Sequence, residues 1–301
     1  GEVVEKFWMP NPTKINALAD ALGVGVLQRY GDAERCIATA NGVLDLGSGE
    51  LLEHSPDRFN LSSLPFDYDP DAECPAWEAF LESVLPGDLA AHAFLAEWFG
   101  YVISGSNDQQ KMLSLVGPPR CGKGTVARVL SALLGPDVVA APILDKLGGQ
   151  FGEQNLIGKK LAIMGDVRWK SRNAGAAVPV LLMITGDDER DIPRKNQKDW
   201  HGRLDVRFVV MSNDVPEFSD TSGALVDRMM HVEFRTSFLG REDISLRERL
   251  LKELPGVLNW SLRGLERLRD RGHFAPPESG HELAREVRDG ASPISAFLDS
   301  E

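Results

Sequence analysis

The chain lacks the marks of several large protein classes. Three cysteines stand in 301 residues, Cys36, Cys74 and Cys121, with no CxxC pair and no Cys/His cluster. That scatter argues against a structural zinc site or a disulfide framework. The six histidines have no ligand spacing, so His201 and His231 are expected to be structural or solvated. No stretch approaches the ~20 apolar residues that a membrane span needs. The longest apolar run near the middle, Val178 to Ile184, is short and contains Pro179. No basic-then-apolar leader opens the chain, which predicts a cytoplasmic protein. Gly1, with no Met before it, predicts a start trimmed from a longer chain. Internal repeats and low-complexity segments are missing as well.

Basic excess is also lacking. Lys and Arg number 33 against 45 Asp and Glu, a net charge of −12. As a sum, that counts against nucleic-acid binding. One segment departs from the average: Arg190, Arg194, Lys195, Lys198, Arg203 and Arg207 stand there against Asp191, Asp199 and Asp205. An assembly that gathers cations in a channel can be acidic elsewhere, so the total does not decide the question.

What is present is an ordinary globular balance, 43% hydrophobic and 26% charged, with length for one large domain or two smaller ones. The spacing predicts an irregular, mostly helical region over residues 1–106. Within it, Asn41 to Leu46 and Gly47 to Leu52 form a hairpin with a glycine turn. Trp77, Phe80, Leu81 and Val84 follow helical spacing after Pro75, a good first helical residue. A second helix is expected over Leu89 to Ile103, with Phe94, Leu95, Phe99 and Val102 on one face. Short apolar runs then alternate with helices over 107–240. Strands are expected at Lys111 to Val116, Leu161 to Met164, Val206 to Met211 and His231 to Phe234, with helices at Lys123 to Leu134 and Val178 to Ile184. Such alternation implies a parallel sheet covered on both faces. The part over 241–301 reads as amphipathic helix from Ile244 to Arg269, broken near Pro255-Gly256, and then thirty polar, loosely patterned residues.

Gly117-Pro118-Pro119-Arg120-Cys121-Gly122-Lys123-Gly124-Thr125 is the strongest signal. It follows an expected strand and opens an expected helix, the context in which backbone N–H groups curl around phosphate oxygens and the helix N-terminus adds partial positive charge. Lys123 would supply a full charge to the β- and γ-phosphates of ATP. Gly124 stands where the general pattern has Ser or Thr for Mg2+, so either Thr125 reaches the metal or water substitutes. Cys121 fits as a small residue in the loop. Asp166, at the end of the next apolar strand, is a candidate for holding the magnesium and helping to polarise the attacking water. Asn213 ends the Phe208 to Ser212 run and could hydrogen-bond a γ-phosphate or orient water; its alternative is a simple turn before Pro216. Arg228 could stabilise transition-state charge on a neighbouring subunit's ATP, or form a surface ion pair with Asp227 or Glu233. Asp187 and Asp188 lie beyond a helix and are poor candidates for a general base. Trp200 could stack on a base, although packing under the basic segment is the better reading.

Glycine then threonine after the lysine also occurs in nucleoside monophosphate kinases, which leaves a phosphotransferase as one alternative. A non-translocating oligomeric ATPase is another. The order of elements, however, resembles the superfamily 3 helicases, especially those fused to primases in phages and plasmids. The stretch from Pro193 to Arg228 is similar to that family's segment between acidic strand and polar sensor, then the sensor, then the arginine finger. The Asn41 to Leu46 hairpin, the Gly100-Tyr101 region and Leu254 to Trp260 resemble its flanking helical parts.

The resemblance implies an AAA-like doubly wound parallel sheet with an N-terminal mostly helical domain and a C-terminal helical tail, assembled as a ring, expected to be a hexamer. ATP with Mg2+ would lie between subunits, bounded by Gly117 to Thr125, Asp166 and Asn213 on one side and Arg228 of the next. Arg194, Lys195 and Lys198 would line the channel and grip single-stranded or forked DNA during replication. A primase domain and a winged-helix domain would lie outside these residues, and a phage-encoded protein would work in its host's cytoplasm.

Overall fold

The computed structural model describes residues 36–55, 62–169, 174–216 and 223–291. The helical reading of residues 1–35, the last ten residues, and positions 217–222 of the Pro193 to Arg228 stretch lie outside the described residues. Among the described residues no helix is long and apolar enough to cross a membrane.

The described residues begin with a small antiparallel sheet, β1 (Cys36–Thr39), β2 (Gly42–Asp45) and β3 (Leu51–Leu52). The β2–β3 hairpin is the expected one, with the Asp45 carboxylate accepting from Gly47 N and Ser48 N in the turn. β1, which pairs with β2 from Cys36 opposite Asp45, was not expected, because Cys-Ile-Ala-Thr shows no clear alternation, although Asn41-Gly42 between the two strands is a hairpin-turn signal. Helices α1 (Pro75–Val84) and α2 (Leu89–Ser104) follow. All four residues expected to face inward on α1 are buried. α2 is buried on every side from Phe94 to Ser104, not on one face, because a C-terminal helix and the main sheet enclose it.

The main sheet comes next. In chain order it comprises β4 (Met112–Val116), helix α3 (Lys123–Leu134), β5 (Val139–Ala140), the short α4 (Leu144–Leu147), β6 (Leu161–Met164) and α5 (Ala174–Thr185). A two-stranded hairpin, β7 (Arg190–Ile192) and β8 (Trp200–Gly202), is inserted before β9 (Arg207–Ser212), α6 (Ala224–Arg228) and β10 (Met229–Glu233). The strands are all parallel in the order β10-β4-β9-β6-β5. Side chains alternate between two cores, as the period of a strand requires. Leu113, Leu115 and Val209 face the layer of α1, α2 and α3, whereas Met112, Phe208 and Val210 face α4 and α5. Both faces are thus covered, which explains why the strands read as continuous apolar runs. The fold is the expected α/β type with a doubly wound parallel sheet.

The C-terminal part contributes α7 (Leu246–Lys252), α8 (Leu254–Arg271) and α9 (Glu278–Ala291). The expected break falls at Glu253, and Pro255 sits in the first turn of α8, where a missing N–H costs nothing. α8 lies against α2 at glycine contacts: a Cβ on Gly100 would stand 2.4 Å from Ser261 O, and one on Gly264 would stand 2.2 Å from the Ala96 carbonyl carbon. Trp260 meets Trp77 and Phe99 edge-on at 5.5 Å. The Glu253 carboxylate accepts from Ala76 N and Trp77 N at the start of α1. α9 corrects the expectation of a loosely patterned tail. Leu283 and Val287 recur at helical spacing and are buried, and the helix packs on β10, with Gly280 against the His231 carbonyl.

Candidate functional site

Strand register brings three of the sequence-selected positions to one edge of the sheet. Val116 pairs with Ser212, and Met164 with Val210, so Gly117, Asn213 and Asp166 all leave their strands at the C-terminal end within about one residue of the same level. β9 lies between β4 and β6, which places Asn213 between the glycine loop and Asp166. Ligands of open α/β sheets bind at such carboxyl ends.

The loop needs its glycines. Gly117 has φ 151 and a Cβ there would lie 2.1 Å from Phe234 O; Gly122 has φ 105 and a Cβ there would lie 2.8 Å from Val84 Cγ1 on α1. Arg120, exposed in the loop, also has a positive φ of 61. Lys123 opens α3 and is 8% exposed. Its ammonium donates to Gly117 O, to Pro118 O at 3.0 Å and to the Asn213 carboxamide oxygen at 3.3 Å, with Cys121 Sγ 3.4 Å away. The α3 N-terminus carries no side-chain cap at Gly122, so its first N–H groups face the loop. Gly124 leaves room for Arg128, whose Nε donates to the Gly124 carbonyl, and Thr125 is half-buried one position on. Asp166 is exposed with φ 48, just beyond Gly165. A segment not singled out in the sequence braces the outer arm of the loop: Ser237 Oγ donates to Pro119 O at 2.8 Å and Phe238 N to Arg120 O at 3.0 Å. Its only sequence signal is its place directly after the last strand.

Arg228 is not brought to this edge. It precedes β10, whose first residue Met229 pairs with Met112, the first residue of β4. It therefore stands a strand length from its own loop, roughly 16 Å at ~3.3 Å per residue. Its Nη1 donates to Leu182 O at 2.7 Å. Neither suggested ion-pair partner holds it: Asp227 pairs with Arg288, and Glu233 with Arg235. Asp187 and Asp188 follow α5 and lie away from the loop, Asp187 pairing with Arg203 at 3.2 Å.

The basic segment is a hairpin whose charges sort by strand and turn. Arg190 is half-buried at its root against Glu153. Arg207, 2% exposed, donates to Ser106 O at 2.6 Å and to Gly105 O, and lies over the Tyr101 ring. Arg203 pairs with Asp187 and Glu189. Arg194, Lys195 and Lys198 remain at the turn, where Arg194 Nε donates to Lys198 O and Asn196 takes φ 60. Trp200 is half-buried and packs beneath the hairpin, and His201 pairs with Asp191 at 2.8 Å. Under the sheet's opposite end, burial pushes the Lys160 ammonium down and the Asp205 carboxyl up. His231 is 1% exposed in β10, among the described residues neither ring nitrogen has a partner, and burial pushes its pKa down to about 4.

Five parallel strands, a glycine loop between β4 and α3, and polar residues at adjacent strand ends define an α/β protein of P-loop type. Comparison with known proteins narrows this. Residues 15–86 match the family described as D5 N terminal like, and residues 115–228 match a family of unknown function, DUF5906. An uncharacterized mitochondrial protein, ymf21, of Marchantia polymorpha is 29% identical over 115 residues, covering 34% of this chain and 64% of that protein. The apo structure of the NrS-1 C terminal region superposes with a TM-score of 0.58 at 18% identity, over 73% of this chain and 53% of that one. The A form of the same region gives 0.55 at 16% identity. The chain thus spans about half the length of those structures, and at such identity the likeness is one of fold. The two family matches cover separate stretches of the chain, and the second spans the glycine loop, Asp166, Asn213 and Arg228.

Proposed function

We infer that this chain is the motor module of a phage- or plasmid-type replication protein, hydrolysing ATP at the subunit interfaces of a ring and gripping single-stranded DNA with its basic hairpin. The observation that carries the reading is the meeting of Lys123, Asn213 and Asp166 at the C-terminal ends of three neighbouring parallel strands. Lys123 and the uncapped α3 N-terminus would hold the β- and γ-phosphates. Asn213, already bonded to Lys123, would sense the γ-phosphate or orient water.

Thr125 and Asp166 fit Mg2+, a hard cation that takes oxygen donors and keeps several waters. Among the described residues no group of three or more His, Cys, Asp or Glu gathers, which suits a cation held largely by water and phosphate oxygens. Mg2+ would supply charge neutralisation at the transferring phosphoryl group. Arg228, too far from its own loop, would complete the site of the next subunit.

The test is ATP hydrolysis with and without single-stranded DNA, alongside the native mass of the assembly. The reading expects a ring, expected to be a hexamer, whose turnover rises with DNA. Phosphate transfer to a nucleoside monophosphate with no response to DNA would favour the kinase alternative. An assembled ATPase indifferent to DNA would favour the non-translocating one.

A further inference from the structure

The hairpin is fixed to the rest of the molecule by two consecutive residues. Glu153 and Arg190 form an ion pair in which Arg190 Nη2 donates to Glu153 Oε1 at 2.7 Å, while Nε stands 2.7 Å from Oε2 without the alignment of a hydrogen bond. Their side chains are only 14% and 10% exposed, and among the described residues Arg190 Nη1 has no acceptor. The next residue, Gln154, accepts from the backbone N–H of Lys195 in the turn itself at 3.1 Å. Both belong to the segment that runs through the 3-10 turn Gln154–Leu156 into β6, the strand that ends at Asp166. The root and the turn of the hairpin are therefore tied to the same short piece of backbone.

The geometry points to Glu153, Arg190 and Gln154 as positioning residues that hold the basic turn in its DNA-gripping place. This rests on the DNA-binding reading above and deepens it. A charge-assisted hydrogen bond with a second close approach of opposite charges, set in a half-buried site, holds the root of the hairpin more firmly than a solvated pair would. The pair also takes Glu153's negative charge out of play beside Arg194, Lys195 and Lys198. None of the three tethering side chains is asked to touch DNA, so their loss acts by letting the turn wander.

The experiment uses the full chain and three readouts: binding of a fluorescent single-stranded oligonucleotide, binding of a fluorescent ATP analogue, and the rate at which trypsin cuts after Lys195 and Lys198. Gln154→Ala removes an exposed tie and should fold as the parent does. Glu153→Gln breaks the half-buried ion pair, Arg190→Lys keeps the charge but not the guanidinium, and Glu153→Arg with Arg190→Glu reverses the pair. Gln154→Ala and Glu153→Gln should each weaken oligonucleotide binding roughly tenfold, as loss of preorganisation does. They should speed cleavage at the turn and leave ATP-analogue binding unchanged. Arg190→Lys should fall between, and the reversed pair should recover slow cleavage.

Parent-like binding and parent-like cleavage in both single variants would overturn the assignment. So would faster cleavage spread over the whole chain with loss of ATP-analogue binding, since that is a general structural defect. If the parent binds no oligonucleotide, the DNA-gripping reading fails, and the cleavage rates at the turn still decide whether the tether exists.

Discussion

The Lys123 ammonium reaches across the sheet edge to the Asn213 carboxamide at 3.3 Å, linking the glycine loop to the end of a strand ninety residues away. Lys123 has carbonyl acceptors in its own loop as well, so losing Asn213 should not unseat it. Asn213→Ala should leave ATP binding close to the parent's and lower turnover by ~10² or more, the usual effect of removing one donor aimed at developing charge. Lys123→Ala should abolish turnover while the melting transition stays cooperative. Steady-state hydrolysis and nucleotide titration check both, and full activity in Lys123→Ala would remove the loop from consideration.

Arg228 and the loop stand at opposite ends of β10 and β4. Arg228→Ala should therefore bind ATP normally and hydrolyse it poorly. Mixing it with Asp166→Ala should restore part of the activity, because some interfaces in a mixed ring keep both intact halves. Absence of rescue, with mixed rings confirmed by native mass, would mean that Arg228 serves its own subunit through Leu182 alone.

Much of the glycine-loop edge of the sheet was legible because it is written locally. A glycine loop between an apolar strand and an amphipathic helix is contiguous, and Asp166 and Asn213 each close a buried apolar run. What was not legible depends on partners distant in the chain. Arg190 counted as one more cation of a basic segment until its partner Glu153 appeared from before β6. β1 has too short a pattern to announce itself, and α9 has a polar composition whose buried positions, Gly280, Leu283 and Val287, matter only once β10 lies beneath them. The brace at Ser237 and Phe238 is a hydrogen-bonding arrangement with no residue signature at all.

Lys195 and Lys198 lie exposed at the hairpin turn of a chain carrying −12. Replacing both with alanine should weaken single-stranded DNA binding and abolish unwinding while DNA-independent ATP hydrolysis survives. The slope of log affinity against log salt should become shallower by about one unit for each phosphate that the turn no longer neutralises. Unaltered binding and unwinding would show that the turn is not the grip.

His231 gives a pH signature of its own. Burial lowers its folded-state pKa to about 4, below the 6.5 of an unfolded chain. Between those values the unfolded state binds more protons, so stability rises with pH there. The contribution is fully present above pH 6.5 and is lost as pH falls toward 4, up to about 3 kcal/mol at ~1.4 kcal/mol per pKa unit. Urea unfolding at pH 7.5 and pH 5 should show a larger loss in the parent than in His231→Phe. Equal losses would mean that the imidazole is solvated or paired.

The packing of α9 along β10 bears on how copies of this chain can meet. β10 is the outermost strand on its side and is covered there by a helix, while the opposite outermost strand, β5, is only the two residues Val139–Ala140. An uncovered run of strand backbone is a template on which another chain can extend the sheet, and a covered or very short one is not. In the proposed ring, neighbouring subunits would be denied a continuous backbone ladder between their main sheets. They would recognise one another through side chains, which can engage and release singly.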